Sequence, residues 1–139
     1  MLIPKKTKYR YPHSLKYEGL AKGNKKVSWG QFGLQVQQGS YITNNQIEAA
    51  RKAISKFVKK IGKMRINIFP HLAKTKKPLE VRMGSGKGSV DSWVAVVKQG
   101  TVVFEVSELS KDIAYQALTA AGHKLPVKCK VVEKTEPIK

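Results

Sequence analysis

The sequence has few of the residues and runs that would mark several classes of protein. A single cysteine, Cys129, excludes an internal disulfide and is typical of a reducing compartment, where we expect it to act as a small apolar strand residue. No run of 18 apolar residues occurs, so no membrane span is predicted. The N-terminus lacks the apolar stretch of a secretory signal, and its Tyr, Pro and Gly residues argue against a transit peptide.

Acidic residues are also scarce. The 139-residue chain has 27 Lys and Arg against 9 Asp and Glu, a formal net charge of +18. Such a charge opposes a compact state unless a polyanion neutralises it, which indicates nucleic acid or an anionic membrane as the partner. Hydrophobic residues still make up 41% of the chain, which at this length predicts one folded domain.

The positive charge lies almost entirely in the first part of the chain. Residues 1–88 carry 20 basic and 3 acidic side chains, whereas residues 89–139 carry 7 and 6. Solubility alone does not require this asymmetry, but a protein with one basic face or arm in RNA does. The sequence therefore predicts a binding part followed by a nearly neutral scaffold.

Residues 1–26 predict an irregular basic arm, followed by a single domain over residues 27–135 and a frayed tail over residues 136–139. The arm has no period of 2 or 3.6, and aromatic residues alternate with its cations. Cations meet phosphates and rings stack on unpaired bases, so RNA contact is expected, with a solvated tail as the alternative. The candidate contacts in this arm are Lys5, Lys6, Lys8, Arg10, Lys25 and Lys26.

The clearest predicted helix covers residues 43–62. Thr43 and Gln46 form a capping-box pattern, and Gly62 is a plausible stop. Apolar residues recur at helical spacing on one face, and cations recur on the other. An ordinary solvated face or a membrane-surface helix are the alternatives, but ordinary faces mix signs and the apolar face lacks Trp. The candidate RNA contacts are Arg51, Lys52, Lys56, Lys59, Lys60 and Lys63.

The remaining segments predict an α+β fold, with two helices packed on one side of a mixed sheet. A second helix is expected from the cap Ser110 to Gly122, with Ile113, Ala117, Leu118 and Ala121 as its buried stripe. The other predicted elements are one or two strands in 27–38, strands in 64–69, 79–83 and 127–132, a basic loop in 74–78, and a hairpin of 90–98 with 101–106.

A glycine-rich loop follows Val81. It is not a Walker A loop, because Gly88 follows Lys87 where Ser or Thr is required, and it is not a GxGxxG fingerprint either. Glycines let backbone N–H groups approach phosphates, and Arg82 and Lys87 add charge, so we expect RNA contact over residues 82–89. A mobile hairpin tip is the alternative. The candidate residues are Arg82, Met83, Gly84, Gly86, Lys87 and Gly88.

The sequence shows no catalytic or metal-binding pattern. His13, His71 and His123 lie far apart, and none has a second ligand at metal spacing. No nucleophile occurs in a recognisable turn, and no acid–base pair is apparent. We therefore expect no enzyme activity, no cofactor, no metal and no small-molecule substrate.

Several blocks of the sequence resemble one known family. They are the start MLIPKKTKYR, the segment FGLQ, QIEAARKAI shortly after Thr43, the strand end IFP, the run KPLEVRMGSGKGSVDSWVAVV, and AGHKLPVK. In this order and spacing they are similar to bacterial large-subunit ribosomal protein sixteen, over nearly the whole chain. The run KPLEVRMG followed by a Gly–Lys–Gly element is the most specific of them.

The resemblance implies a hammerhead-like α+β fold and a structural role in the large ribosomal subunit of a bacterial cytoplasm. It implies binding to large-subunit ribosomal RNA through the arm and the basic helix, beside neighbouring ribosomal proteins. It also implies that the loop from Arg82 to Gly88 contacts transfer RNA at the A site, with the P site as a second candidate. Ser85 stands where the family often has a lysine. A free-standing basic nucleic-acid-binding or RNA-chaperone protein is the alternative function.

Overall fold

The computed structural model describes residues 3, 19–21, 23, 25–58, 62–70, 72–76 and 89–134. Within them the order of elements is β–β–α–β–β–β–β–α–β. The same order was predicted, but the second strand lies at residues 40–43, beyond the predicted range 27–38, and the fourth lies at residues 72–76, where no strand was predicted. The elements are β1 (Phe32–Val36), β2 (Ser40–Thr43), α1 (Asn44–Val58), β3 (Lys63–Ile66), β4 (Leu72–Lys76), β5 (Ser89–Val97), β6 (Val102–Ser107), α2 (Lys111–Gly122) and β7 (Cys129–Glu133).

The strands form two antiparallel sheets. The four-stranded sheet has the order β3-β6-β1-β7, and the three-stranded sheet has the order β2-β5-β4. The predicted α+β class is confirmed. The expected single mixed sheet is not what forms, because β5 and β6 enter different sheets.

The turn at Gln99 and Gly100 is where the chain changes sheets. Gly100 has a φ of +97°, a left-handed conformation that favours glycine. Its N–H donates to the carbonyl of Val36 at 2.9 Å, and the Val36 N–H donates to the carbonyl of Thr101 at 2.9 Å. The turn is therefore bonded to the end of β1. The predicted hairpin of 90–98 with 101–106 is wrong, since β6 pairs with β1 and β3.

Helix α1 begins at the predicted capping box. The Thr43 N–H donates to Gln46 Oε1 at 2.9 Å, and the Gln46 N–H donates to Thr43 Oγ1 at 3.2 Å. The described helix extends to Val58, and the Gly62 N–H donates to the Val58 carbonyl at 3.1 Å. Its buried residues include Ile47, Ala50, Ala53 and Ile54, which confirms the predicted apolar face over this part of the helix.

Helix α2 packs against α1, and the two cover one side of the four-stranded sheet. Helix α2 contacts β1 and β7, while α1 contacts β3. The expected placement of both helices on one side is therefore confirmed for this sheet. One stripe position is wrong: Ile113 is 41% exposed and Ala114 is buried in its place. The buried residues of α2 are Ala114, Ala117, Leu118 and Ala121.

The other face of the four-stranded sheet is covered by an irregular stretch, here called the crossing segment (residues 25–31). Neighbouring strand residues point to opposite faces, so Leu34 faces the helices while Gly33 faces away. A Cβ on Gly122 of α2 would lie 3.8 Å from Leu34, whereas a Cβ on Gly33 would lie 2.7 Å from Val27 Cγ2. The sheet is thus enclosed by helices on one face and by chain on the other.

In the three-stranded sheet, β2 and β4 pair with different halves of β5 and overlap only at Val94. β2 pairs only with Val94–Val97 of β5, whereas β4 pairs with β5 from Val94 back to Ser89. The strand β4 covers Leu72–Lys76, so the predicted basic loop over 74–78 is wrong for residues 74–76. Alternation of Leu72, Lys74 and Lys76 with small residues is compatible with a strand, and pairing with β5 selects it. The predicted strand 79–83 lies outside the described residues.

Candidate nucleic-acid interface

The exposed face of α1 presents two lysines without a described ionic partner. Lys52 and Lys56 are exposed, and the other exposed residues of the helix are Asn45, Ala49 and Ser55. No described acidic side chain forms an ion pair with either lysine. They lie four residues apart, so their like charges repel weakly, and a polyanion would relieve this repulsion.

Two further candidates near α1 are held by acidic side chains of the chain itself. The Arg51 Nε–H donates to Glu48 Oε1 at 2.7 Å, and this hydrogen bond holds the pKa of Glu48 below its usual range. Lys63 Nζ lies 3.6 Å from Glu108 Oε1. The structure therefore separates the basic face into freely presented lysines and cations with a partner.

Lys25 and Lys26 lie on the other side of the four-stranded sheet. Both are exposed in the crossing segment, and the carbonyl of Lys25 accepts a hydrogen bond from Gln35 Nε2 at 3.2 Å. Since α1 covers the opposite face, Lys25 and Lys26 do not form one continuous surface with the described cations of α1. Any single RNA that meets both groups must pass around an edge of this sheet.

The crossing segment is attached by a buried carboxyl group that the sequence analysis did not identify. Glu105 of β6 is fully buried, and its Oε1 accepts hydrogen bonds from the N–H of Ser28 at 2.6 Å and of Trp29 at 3.3 Å. No described group donates to its Oε2. A buried unsatisfied oxygen costs about 1–3 kcal/mol, and each hydrogen bond contributes about 0.5–1.5 kcal/mol net. An acid inside the apolar run VVFEVS was the available signal.

In the sequence, the predicted transfer-RNA loop falls in the connection from β4 to β5, and all of it except Ser89 lies outside the described residues. Residues 77–88 follow β4 and precede β5, and the last pair of these strands joins Lys76 to Ser89. Ser89, the last residue of the predicted loop, is the first of β5. The other predicted contacts that lie outside the described residues are Lys5, Lys6, Lys8, Arg10, Lys59, Lys60, Arg82, Met83, Gly84, Gly86, Lys87 and Gly88.

Some exposed cations of the described residues were missed by the sequence analysis. Arg65 lies on the edge strand β3, opposite Glu105 in the register. Lys128 and Lys130 are exposed at the start of the edge strand β7, and Lys124 is exposed just after α2. The near-neutral charge of residues 89–139 concealed these lysines, because a net charge sums acids and bases without regard to their positions. Alternation along each strand was the signal that could have found Arg65 and Lys130.

Cys129 has the structural role that was predicted for it. It lies in β7, half-buried against the core, and burial raises the pKa of its thiol to about 11. A thiol with this pKa is neutral at physiological pH and weakly nucleophilic. Among the described residues, no three His, Cys, Asp or Glu side chains are placed to hold a metal ion. Within the same part of the chain, neither helix is long and apolar enough to cross a membrane.

Comparison with known proteins identifies the family. Residues 4–132 match the model of the family described as ribosomal protein L16p/L10e. The chain is 64% identical to large ribosomal subunit protein uL16 of Spiroplasma kunkelii, over 98% of this chain and 99% of the relative. It is 59% identical to the protein of that name from Acholeplasma laidlawii, with the same coverage. The chain therefore belongs to the ribosomal protein L16p/L10e family.

Proposed function

We propose, from this family membership, that the chain is a structural constituent of the large ribosomal subunit and not an enzyme. Its relatives are proteins of bacterial large subunits, which lie in the cytoplasm, and we assign this chain to the same particle. Its partners there are ribosomal RNA and neighbouring ribosomal proteins. The formal charge of +18 supports this role, because the phosphates of the RNA neutralise it.

The ribosomal RNA is bound by the basic arm and by the basic helix. The exposed Lys52 and Lys56, which form no ion pair with a described acid, are the observation that carries this proposal. Arg51 and Lys63 contribute less, because their acids compete with phosphate. The full set of proposed ribosomal-RNA contacts is Lys5, Lys6, Lys8, Arg10, Lys25, Lys26, Arg51, Lys52, Lys56, Lys59, Lys60 and Lys63.

Transfer RNA at the A site is contacted by the glycine-rich loop, and the P site is a second candidate for the same loop. The paired ends of β4 and β5 support this proposal, because they extend past β2 as a two-stranded ribbon. A ribbon that carries a loop beyond the sheet can reach a ligand that the body does not touch. The proposed contacts are Arg82, Met83, Gly84, Gly86, Lys87 and Gly88.

The ribosomal-RNA contact is tested with matched lysine variants on the two helices. Lys52→Ala removes a freely presented charge, whereas Lys111→Ala removes a lysine that lies 3.1 Å from Glu133 on α2. Affinity for a large-subunit RNA fragment is measured over a range of salt concentrations. Lys52→Ala is expected to lower the slope of log affinity against log salt by roughly 0.7–0.9. Equal slopes for the two variants would contradict the assignment of α1.

The transfer-RNA contact is tested in reconstituted subunits. Arg82→Ala with Lys87→Ala is expected to leave subunit assembly intact and to weaken A-site transfer RNA by roughly tenfold or more, as two charge-assisted contacts are lost. Ser85→Ala in the same loop is the control and is expected to bind normally. A normal A-site affinity in the double variant would exclude this role, while leaving the ribosomal-RNA assignment untouched.

A further inference from the structure

We infer that Glu105 is a positioning residue: it holds the crossing segment against the four-stranded sheet and so determines the position of Lys25 and Lys26. The inference rests on the proposed RNA contact of these two lysines. We call the hydrogen bonds from the crossing segment to Glu105 the clasp. Glu105 itself does not touch RNA, because it is fully buried.

The clasp consists of two consecutive backbone amides on one carboxyl oxygen. Ser28 and Trp29 donate to Glu105 Oε1 from a stretch that forms no strand with its neighbours. The bonds join residues 77 and 76 positions apart in the chain. A segment that is not paired as a β-strand needs another acceptor for its backbone N–H groups, since unpaired buried N–H groups are rare in folded proteins.

Close backbone packing on either side of the clasp leaves little freedom to the segment. The Gln31 N–H donates to the Val106 carbonyl at 2.9 Å, and a Cβ on Gly30 would lie 2.6 Å from the same oxygen. Before the clasp, Val27 is buried directly over Gly33. The segment is therefore fixed at three successive points, and the two lysines directly precede the first.

An apolar residue at position 105 would fill the space but would leave two amides unbonded. Glu105→Met keeps the length of the side chain and removes the acceptor, so it separates packing from hydrogen bonding. Glu105→Gln keeps one acceptor oxygen and serves as the conservative rescue. Glu108→Gln removes the same formal charge at an exposed site beyond the end of β6 and is the matched control; because it also releases Lys63, it is expected to bind RNA at least as tightly as the unmodified protein.

The first measurement is amide hydrogen exchange of Ser28 and Trp29. We expect at least tenfold faster exchange in Glu105→Met, an intermediate rate in Glu105→Gln, and an unchanged rate in Glu108→Gln. Trp29 emission gives a second signal, measured in a Trp93→Phe background because the chain has 2 Trp. Unchanged exchange at both amides in folded Glu105→Met would overturn the clasp.

The second measurement is affinity for a large-subunit RNA fragment. Loss of an acid raises the formal net charge, so general electrostatics predicts tighter binding by every Glu variant. The clasp instead predicts severalfold weaker binding by Glu105→Met and none of this loss in Glu108→Gln. In a Lys25→Ala, Lys26→Ala background, Glu105→Met should cause no further loss, because the variants act through one contact.

The outcomes separate the clasp from the proposed RNA contact. Faster exchange in Glu105→Met with normal RNA affinity in the double-lysine variant would retain the clasp and reject Lys25 and Lys26 as contacts. If Glu105→Met does not fold, Gly30→Ala is the second test. Its Cβ would collide with the Val106 carbonyl and so displace the crossing segment from Glu105 while the carboxyl group stays in place. In the unmodified protein, exchange of Ser28 and Trp29 as fast as in an unstructured peptide would refute the inference.

Discussion

The two helices pack in the same way and present different surfaces. Both bury one apolar stripe in a shared core on the four-stranded sheet. Outward, α1 presents Lys52 and Lys56, whereas α2 presents Lys111, which pairs with Glu133, then the acidic Asp112, and then neutral residues such as Ile113. Packing demands therefore shape the inner faces alike, and the proposed RNA contact explains why only one outer face carries unpaired cations.

The helices also differ in how they begin. Thr43 and Gln46 cap α1 through two reciprocal side-chain hydrogen bonds. Ser110 stands at the N-cap of α2 and makes no side-chain cap bond, although Asp112 in the first turn favours the helix dipole. The basic helix is thus the one whose start is more strongly specified.

The largest expected effect tests whether the inner faces are equivalent. Ile54→Ala in α1 and Leu118→Ala in α2 each remove a fully buried side chain and leave a cavity. We expect each variant to lower the free energy of unfolding by about 2–5 kcal/mol, measured by urea denaturation. Thr119→Ala, at an exposed position of α2, is the control. A large loss in only one helix would show that the core depends on them unequally.

A smaller effect tests the difference between the two helix starts. Thr43→Ala removes one bond of the capping box and is expected to cost about 1 kcal/mol in the free energy of unfolding. Ser110→Ala is expected to cost much less, because its side chain accepts no cap bond. Thermal and urea denaturation of both variants measure the difference. Equal losses would mean that the capping box contributes nothing beyond a Ser without a side-chain cap bond.

The smallest expected effect concerns Glu133, the acid that pairs with Lys111 of α2. The hydrogen bond from Lys111, followed by that from Tyr115, lowers the pKa of Glu133 from 4.5. A lowered folded-state pKa contributes stability above pH 4.5 and loses it as the pH falls through the folded-state value. Glu133→Gln should therefore show a slightly lower Tm than the unmodified protein at pH 7 and an equal Tm near pH 2.

Salt provides the control for this prediction. The pair is exposed, so high salt should screen it and reduce the difference in Tm at pH 7. The pKa of Lys111 is raised by the same hydrogen bond, so the contribution is also lost as the pH rises above 10.5. A difference that persists unchanged from pH 2 to pH 7 would mean that Glu133 acts through packing rather than through its charge.

Local structure was predictable wherever the residues that determine it are neighbours in the sequence. The capping box at Thr43, the apolar face of α1 and the structural role of Cys129 each follow from neighbouring residues, and each is confirmed. The family was also accessible, because its motifs are contiguous. The division into an arm, a domain and a tail stays a prediction.

The wrong predictions have a common cause: the residues that pack or pair with these segments lie far away in the sequence. A short link at Gly100 predicted a hairpin, but β5 and β6 found partners in different sheets. Residues 74–76 looked like a loop because of their charge, and pairing with β5 made them a strand. Ile113 fits a helical stripe, but α2 is rotated about its own axis so that Ala114, and not Ile113, faces the core.

By itself, the sequence determined the charge asymmetry, the positions of the two helices and the family, because composition, periodicity and contiguous motifs need no distant partner. Only the tertiary structure decided that Lys25 and Lys52 lie on opposite sides of one sheet, and that Glu105 holds the crossing segment. The physical reason is that side-chain direction and hydrogen-bond pairing between residues more than 70 positions apart depend on how the strands assemble.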